Sequence, residues 1–449
     1  MHATKLHAKS APSSRSNFPP AKAEANRLEP ADRPAHDWYR FVLSFPPHLV
    51  RDYAGQFELS PGSRVLDPFC GTGTTVVESK KLGLYGIGIE AHPMSHFASI
   101  TKIDWSLDPD RLESTALAVA ERALDRLERD GIIDDPQPNL LREQPGIFVS
   151  KILPDNAAKL LLTNSISPLP LHKTLVLLDA IDAADYGVSH MRLALAKAVV
   201  GTISNLHFGP EVGIGPAKTD APTVSTWLGL MVQMAHDLRL LCAESFTPTV
   251  VHHADSRSLQ RLVAPQSIDA VITSPPYPNE KDYTRTTRLE SVLLGFIRDK
   301  KELRDLKYTM LRSNTRGVYK ADTDDQWVKD HAEIQRIAEA IEARRIELGK
   351  TSGFERLYAR VTKLYFGGMA RHLAHLRTVL KPGASLAYVV GDQASYLRVM
   401  IRTGQILASL AEELGYQVDR IDLFRTRLAT ATREQLREEV LVLRWPGKK

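Results

Sequence analysis

The chain has 449 residues, of which 43% are hydrophobic, the ordinary proportion for a globular protein that can bury a sizeable core. Two cysteines, Cys70 and Cys242, are too few for a disulfide framework or a zinc site and point to a reducing, cytoplasmic setting. No apolar run reaches the ~18 residues of a membrane span, the N-terminus lacks the apolar core of a signal peptide, and the net charge of +5 is so mild that its placing matters more than its sum.

Residues 1–33 are rich in Ala, Pro, Ser and Lys without apolar periodicity and read as a disordered tail. The aromatic stretch "DWYRFVLSFPPHLVRDYAGQF" follows and reads as helical on both sides of Pro46-Pro47. In "GSRVLDPFCGTGTTVVESKKLGLYGIGIEAHP", Val65-Leu66 is a short buried strand, Gly71 and Gly73 make a tight loop, Thr74 to Lys81 is a helix and "YGIGIE" a second strand. This is a β-loop-α-β unit with a right-handed parallel crossover. Helical periodicity then runs for about 140 residues after Trp105. Strand texture returns in "PTVVHHAD" and "SIDAVITSPPY", a second helical stretch covers 284–380, and "ASLAYVVGD", "GYQVDRIDLF" and "EEVLVLRW" close the chain as three strands. The simplest account is one α/β, doubly wound Rossmann-like sheet with two mainly helical insertions. Its parts are 34–105, 250–283 and 356–449, interrupted at 106–249 and 284–355.

"DPFCGTGTT" sits at the carboxyl end of the first strand, where such sheets bind nucleotide-like cofactors. Gly71 and Gly73 let the backbone approach a ligand. Asp67 ends the strand, and Glu90 ends the next one 23 residues later, where a carboxylate can accept both hydroxyls of a ribose. No phosphate-binding GxxxxGK[ST] is present, and no basic residue falls between Asp67 and Glu78. Such a loop suits a cofactor with a positive centre and no phosphates, which S-adenosylmethionine fits better than NAD or ATP. Asp255 ends the third strand and could receive the adenine amino group of the same cofactor, or simply cap the following helix.

"TSPPY" ends the fourth strand, since proline cannot donate to a sheet ladder. The exocyclic amine of a nucleobase has its lone pair delocalised into the ring. Two acceptors held on its hydrogens would pull the nitrogen toward tetrahedral and release that pair. The Ser274 hydroxyl and the Pro275 carbonyl offer the acceptors, Pro276 stiffens the corner, and Tyr277 can stack on the base.

Together, "DPFCGTGTT" and "TSPPY" resemble the amino-methylating DNA methyltransferases, which modify cytosine-N4 or adenine-N6 with S-adenosylmethionine. The resemblance covers residues 36–105 and 249–445. It implies that Asp67, Pro68, Phe69, Gly71, Gly73 and Thr74 shape the methionine side of the cofactor site. Glu90 would hold the ribose and Asp255 the adenine, Phe45 and Pro46 would belong to an N-terminal cofactor motif, and Ser274 to Tyr277 would be catalytic. Serine at the first corner position is commoner in the cytosine-N4 enzymes. Adenine-N6, an RNA base amine and a catalytically silent nucleic-acid binder remain the competing readings. The family often sets target recognition between the third and fourth strand motifs, which here lie only about 18 residues apart, and the large insert instead follows the second strand.

Residues 281–320 hold eleven basic and five acidic residues, whereas 106–249 hold twelve basic and eighteen acidic. A polyanion prefers the first segment, so Arg285, Arg288, Arg312 and Arg316 are the expected contacts to a DNA strand. "SNLHFGPEVGIGPAK" reads as a structural glycine/proline loop, and Gly391-Asp392 as a turn supporting the site. The partners expected are DNA and, by the same likeness, a cognate restriction nuclease or defence system.

Overall fold

The computed structural model describes residues 28–40, 44–134, 151–208, 211–242, 247–279, 281–428 and 435–447. Nine strands are present among them: β1 Arg64–Asp67, β2 Tyr85–Glu90, β3 Leu206–Phe208, β4 Val212–Ile214, β5 Thr249–His253, β6 Ile268–Thr273, β7 Leu380–Gly391, β8 Gln417–Leu428 and β9 Gln435–Arg444. Seven of them form one sheet in the order β5-β2-β1-β6-β7-β9-β8. The first five run parallel, and β9 and β8 add on antiparallel. The doubly wound sheet is therefore present, and its strand order reverses direction between β1 and β6.

The central strands are nearly continuous apolar runs because helices cover both faces. Successive residues part to opposite sides: Val65 and Ile272 face a layer with Leu49, Val50 and Tyr53, while Leu66 and Val271 face one with Phe366, Met369 and Leu373. The first layer comes from the helix Pro47–Gln56, the second from the helix Tyr358–Leu376. Residues 37–39, expected to be helical, instead form a turn, and the helix begins only at Pro47, whose missing N–H suits a first helical turn.

The insertion after β2 is mainly helical, with long helices at Pro109–Arg129, Pro168–Asp182, Val188–Ala198 and Thr223–Leu241. The glycine/proline loop expected at 204–218 contains a short hairpin, β3 against β4, with His207 paired to Gly213. The expected tail falls largely outside the described residues, but Asp32 within it is buried and paired with Arg51. Arg51 also meets Glu78, and Glu78 accepts from His36 at 2.7 Å. Burial draws His36 down to about 4, so its imidazole is neutral and Arg51 carries the charge that balances Glu78.

The helix Tyr358–Leu376 lies directly on the 3₁₀ turn Asp324–Val328, and glycine makes this approach possible. A Cβ at Gly367 would come within 1.9 Å of the Asp324 carbonyl oxygen, which is backbone and cannot step aside. Gly367→Ala is expected to lower stability by about 1–3 kcal/mol or more through overpacking. Urea unfolding of the two proteins measures this, and an unchanged midpoint would show that the turn yields.

Candidate active site

Because β1 and β6 are neighbours, with Val65 opposite Ala270, the loops that leave their carboxyl ends meet at the switch point of the sheet. Between them opens a cleft. It is lined by Phe45, Pro68, Phe69, Gly71, Thr74 and Glu90 on one side and by Ser274, Pro275, Pro276 and Tyr277 on the other.

The glycine loop is held from below. Asp67 is fully buried; its Oδ1 accepts from Thr273 Oγ1 at 2.6 Å and from the Phe69 amide at 3.1 Å. Its Oδ2 is buried with no partner among the described residues. Burial raises this carboxyl to about 6 against the pull of those donors. Gly73, at φ +90°, turns the chain into the helix Thr74–Lys81, and a Cβ there would press on Ser99 at 3.1 Å.

Two ionisable side chains, the half-buried Glu90 and the buried Lys102, tie the loop sideways. Glu90 accepts the Gly71 amide on Oε2 and the His92 amide on Oε1, both at 2.7 Å, and burial raises it to about 7. Lys102 donates to the Thr72 carbonyl at 2.8 Å and to the Tyr39 carbonyl at 3.3 Å, and burial lowers it to about 7. Lys102 is absent from the sequence expectations, because a single lysine at the end of an amphipathic helix reads as a solvated residue. On the other side of the loop, Phe69 packs edge-on against His372 with ring centroids 4.9 Å apart.

At the corner, the Ser274 hydroxyl donates to the Val389 carbonyl on the neighbouring β7 at 3.0 Å. This commits its proton and leaves oxygen lone pairs as acceptors. The Tyr277 ring lies against Gly391, where a Cβ would come 2.9 Å from Cε2. Asp392 is buried behind it in ion pairs with Arg402 and Arg437, a supporting role.

Other expected residues sit elsewhere. Pro46 is the N-cap residue of the helix that begins at Pro47 and does not line the cleft. Asp255 does not line it either; its carboxylate caps the turn Ser256–Arg261 through the Arg257 amide and is forked by the Arg257 guanidinium. Its neighbours Ala254 and Ser256 are the lining residues there. Of the four arginines expected to meet a DNA strand, Arg312 is a correction. It is 3% exposed, forked onto Asp322 and donates to the Lys307 and Met310 carbonyls, so no phosphate can reach it. Arg288 is likewise turned inward, onto the Thr284 and Leu160 carbonyls. Arg285 is half-buried with an unpartnered Nε, and Arg316 is exposed beside Phe354. The cleft also contains residues absent from the sequence expectations, among them Ser44, Lys281, Tyr283, Phe424, Arg425 and Glu438.

Comparison with known proteins bears on this arrangement. A family model described as N6/N4 DNA methylase matches residues 27–99, the segment that carries the glycine loop and Glu90. The type II methyltransferase M.BsoBI of Geobacillus stearothermophilus is 26% identical over 436 residues, covering 89% of this chain and 82% of that protein. The type II methyltransferase M.AvaI of Nostoc sp. is 25% identical over 441 residues, covering 92% and 87%. Among solved structures, TrmN from Thermus thermophilus aligns with a TM-score of 0.25 and 12% identity, covering 89% of this chain and 48% of that one. With a glycine loop and a Ser-Pro-Pro-Tyr corner facing each other across one cleft, the chain is similar to the N6/N4 DNA methylase family over residues 27–99 and to two type II methyltransferases over about nine-tenths of its length.

Proposed function

We propose that the protein methylates the exocyclic amine of a flipped-out base in DNA, and that this base is cytosine, modified at N4. The observation that carries the reading is the hydrogen bond from Ser274 to the Val389 carbonyl, because it leaves the serine oxygen as an acceptor inside the cleft. The residues present suit S-adenosylmethionine. The Glu90 carboxyl lines the cleft at the loop, and no basic side chain falls between Asp67 and Glu78; Asp67 and Gly73 do not line the cleft and shape the loop from beneath it. When bound, that cofactor supplies an electrophilic methyl group.

The protein's part is to prepare the amine. Ser274 Oγ and the Pro275 carbonyl accept its two hydrogens, which withdraws the nitrogen lone pair from the ring and directs it across the cleft. Tyr277 stacks on the extruded base and offsets part of the few kcal/mol that extrusion costs. The nitrogen becomes cationic on attack, so its proton leaves afterwards without a strong base. The type II naming of both relatives supports a cognate restriction nuclease as partner. We also assign the target strand to the basic insertion 284–355, with Arg285 and Arg316 as phosphate contacts.

The direct test is to incubate the protein with DNA and cofactor, digest the product and identify the modified nucleoside by mass spectrometry. N4-methylcytosine is expected, and N6-methyladenine or an unmodified product would overturn the assignment. In single-turnover measurements with saturating DNA, Ser274→Ala should be about 10²–10³-fold slower, by analogy with loss of one oxyanion-hole donor. A wild-type rate would reduce the serine to a strand end.

Glu90 gives a pH signature. Its carboxyl is raised from 4.5 to about 7, so the folded protein holds a proton there that the unfolded chain has released, and this group's contribution to stability falls as pH rises across that window. Ribose hydroxyls donate best to the ionised form, so cofactor affinity should rise as pH passes through 7. Glu90→Gln should flatten that rise and weaken binding at pH 8 by about 1.5–3 kcal/mol. Calorimetry across pH checks both, and an unaltered profile would remove Glu90 from the ribose.

The arginines separate in the same way. Arg316→Ala should reduce the salt slope of DNA binding by about one unit without altering stability. Arg312→Ala should instead destabilise the fold by about 3–5 kcal/mol, since it leaves the nearly buried Asp322 carboxylate with the Tyr319 amide but no cation. Salt titrations paired with thermal unfolding distinguish the two, and an unchanged slope for Arg316→Ala would return it to the solvated surface.

A further inference from the structure

The end of the cleft beyond Tyr277 is built by β8 and β9, which the motifs do not reach. In the sheet register Gly391 of β7 stands opposite Glu438 of β9, and Glu438 stands opposite Arg425 of β8. These three residues form one row across three strands at the carboxyl end of β7. The row begins under the Tyr277 ring, which rests against Gly391, and the Glu438 Cγ is the next atom a Cβ at Gly391 would meet, at 3.4 Å. Both Glu438 and Arg425 line the cleft together with Ser274 and Tyr277.

A register shift between Leu423 and Arg425 interrupts the alternation of β8. In a regular strand Phe424 and Arg425 would point to opposite faces. The irregularity lets both line the cleft, the kind of re-aiming for which bulges recur beside active sites. The guanidinium is then fixed by its inner nitrogen: Nε donates to Glu438 Oε2 at 2.5 Å. The two outer nitrogens of Arg425 donate to no described residue. A planar fork with two outward donors, held by a carboxylate behind it, is a reader of paired acceptors.

We infer that Arg425, oriented by Glu438, selects the target base by donating from its two outer nitrogens to O2 and N3 of the flipped cytosine. This rests on the cytosine-N4 reading and adds the group that enforces it. When N4 lies between Ser274 and the Pro275 carbonyl, the rest of the Watson–Crick edge faces away from that corner. Cytosine presents two acceptors there. Adenine held by its N6 presents only N1, with a C–H beside it, so one buried donor of the fork would lose its partner. Arg425 thus acts on which base is held, while the corner acts on the amine.

The test compares two duplexes that differ only at the target position, once the methylated position has been mapped by sequencing the wild-type product. One carries cytosine there and the other adenine. The reading is the ratio of kcat/KM values, with cofactor affinity followed by calorimetry as a check on folding. Arg425→Met should reduce the cytosine-to-adenine ratio on the order of 10- to 100-fold, with cofactor affinity unchanged. Arg425→Lys keeps the ion pair but not the fork and should lose most of the same discrimination. Equal losses on both duplexes, or full rescue by Arg425→Lys, would make Arg425 a structural partner of Glu438 and overturn the inference alone. A wild-type product of N6-methyladenine would overturn the cytosine reading itself, and the inference with it.

Discussion

One buried hydrogen bond, from Thr273 Oγ1 to Asp67 Oδ1 at 2.6 Å, joins the two halves of the site. Thr273 is the last residue of β6 and Asp67 the last of β1, so the bond fixes the distance between the cofactor loop and the Ser-Pro-Pro-Tyr corner. A hydrogen bond to an ionised group contributes roughly 1.5–3 kcal/mol, a modest stabilisation. Its geometric effect is larger, because methyl transfer tolerates little error in the approach of two reactants. The second oxygen of the same carboxyl is buried without a hydrogen-bond partner among the described residues, a cost that burial adds to this junction.

Around this bond polar contacts hold the glycine loop as well as packing does. Glu90 grips the Gly71 amide, and Lys102 grips the Thr72 carbonyl, from opposite sides. Lys102 also holds the Tyr39 carbonyl, while His36 and Arg51 hold Glu78 in the helix that leaves the loop. The chain ahead of the first motif is therefore wired into the cofactor site by polar contacts. Glu78 and Lys102 are the deeply buried charges among these, and the cost of desolvating them offsets much of the attraction their partners supply.

Much of this was legible from residues alone, for physical reasons. Strands covered on both faces read as short apolar runs, so β1, β2, β6 and β7 stood out, and a proline pair can end a strand in few ways. What escaped was pairing across space. Arg312 and Arg288 resembled the solvated basic residues around them until their partners Asp322 and the Leu160 carbonyl were placed beside them. Asp255 offered the same ambiguity between ligand and cap, and the Arg257 fork beside it was only two residues away. "GYQVDRIDLF" read as a regular strand, and a register shift inside β8 leaves no mark on local composition. The site was legible where one segment builds it and obscure where several must converge.

The order of the strands along the chain has a consequence for how the protein comes into being. β1 and β2 are synthesised early, but β6 follows some two hundred residues later, and Thr273 meets Asp67 across a separation of 206. The row of Gly391, Arg425 and Glu438 arrives later still. Contacts of such long sequence separation form slowly, after the loop-closure entropy has been met. A nascent chain thus carries its cofactor loop long before it has anything to present to that loop. The far wall of the cleft, with Arg425 and Glu438, therefore closes only when the last two strands seat against β7, so the site is finished by the end of the chain rather than by its motifs.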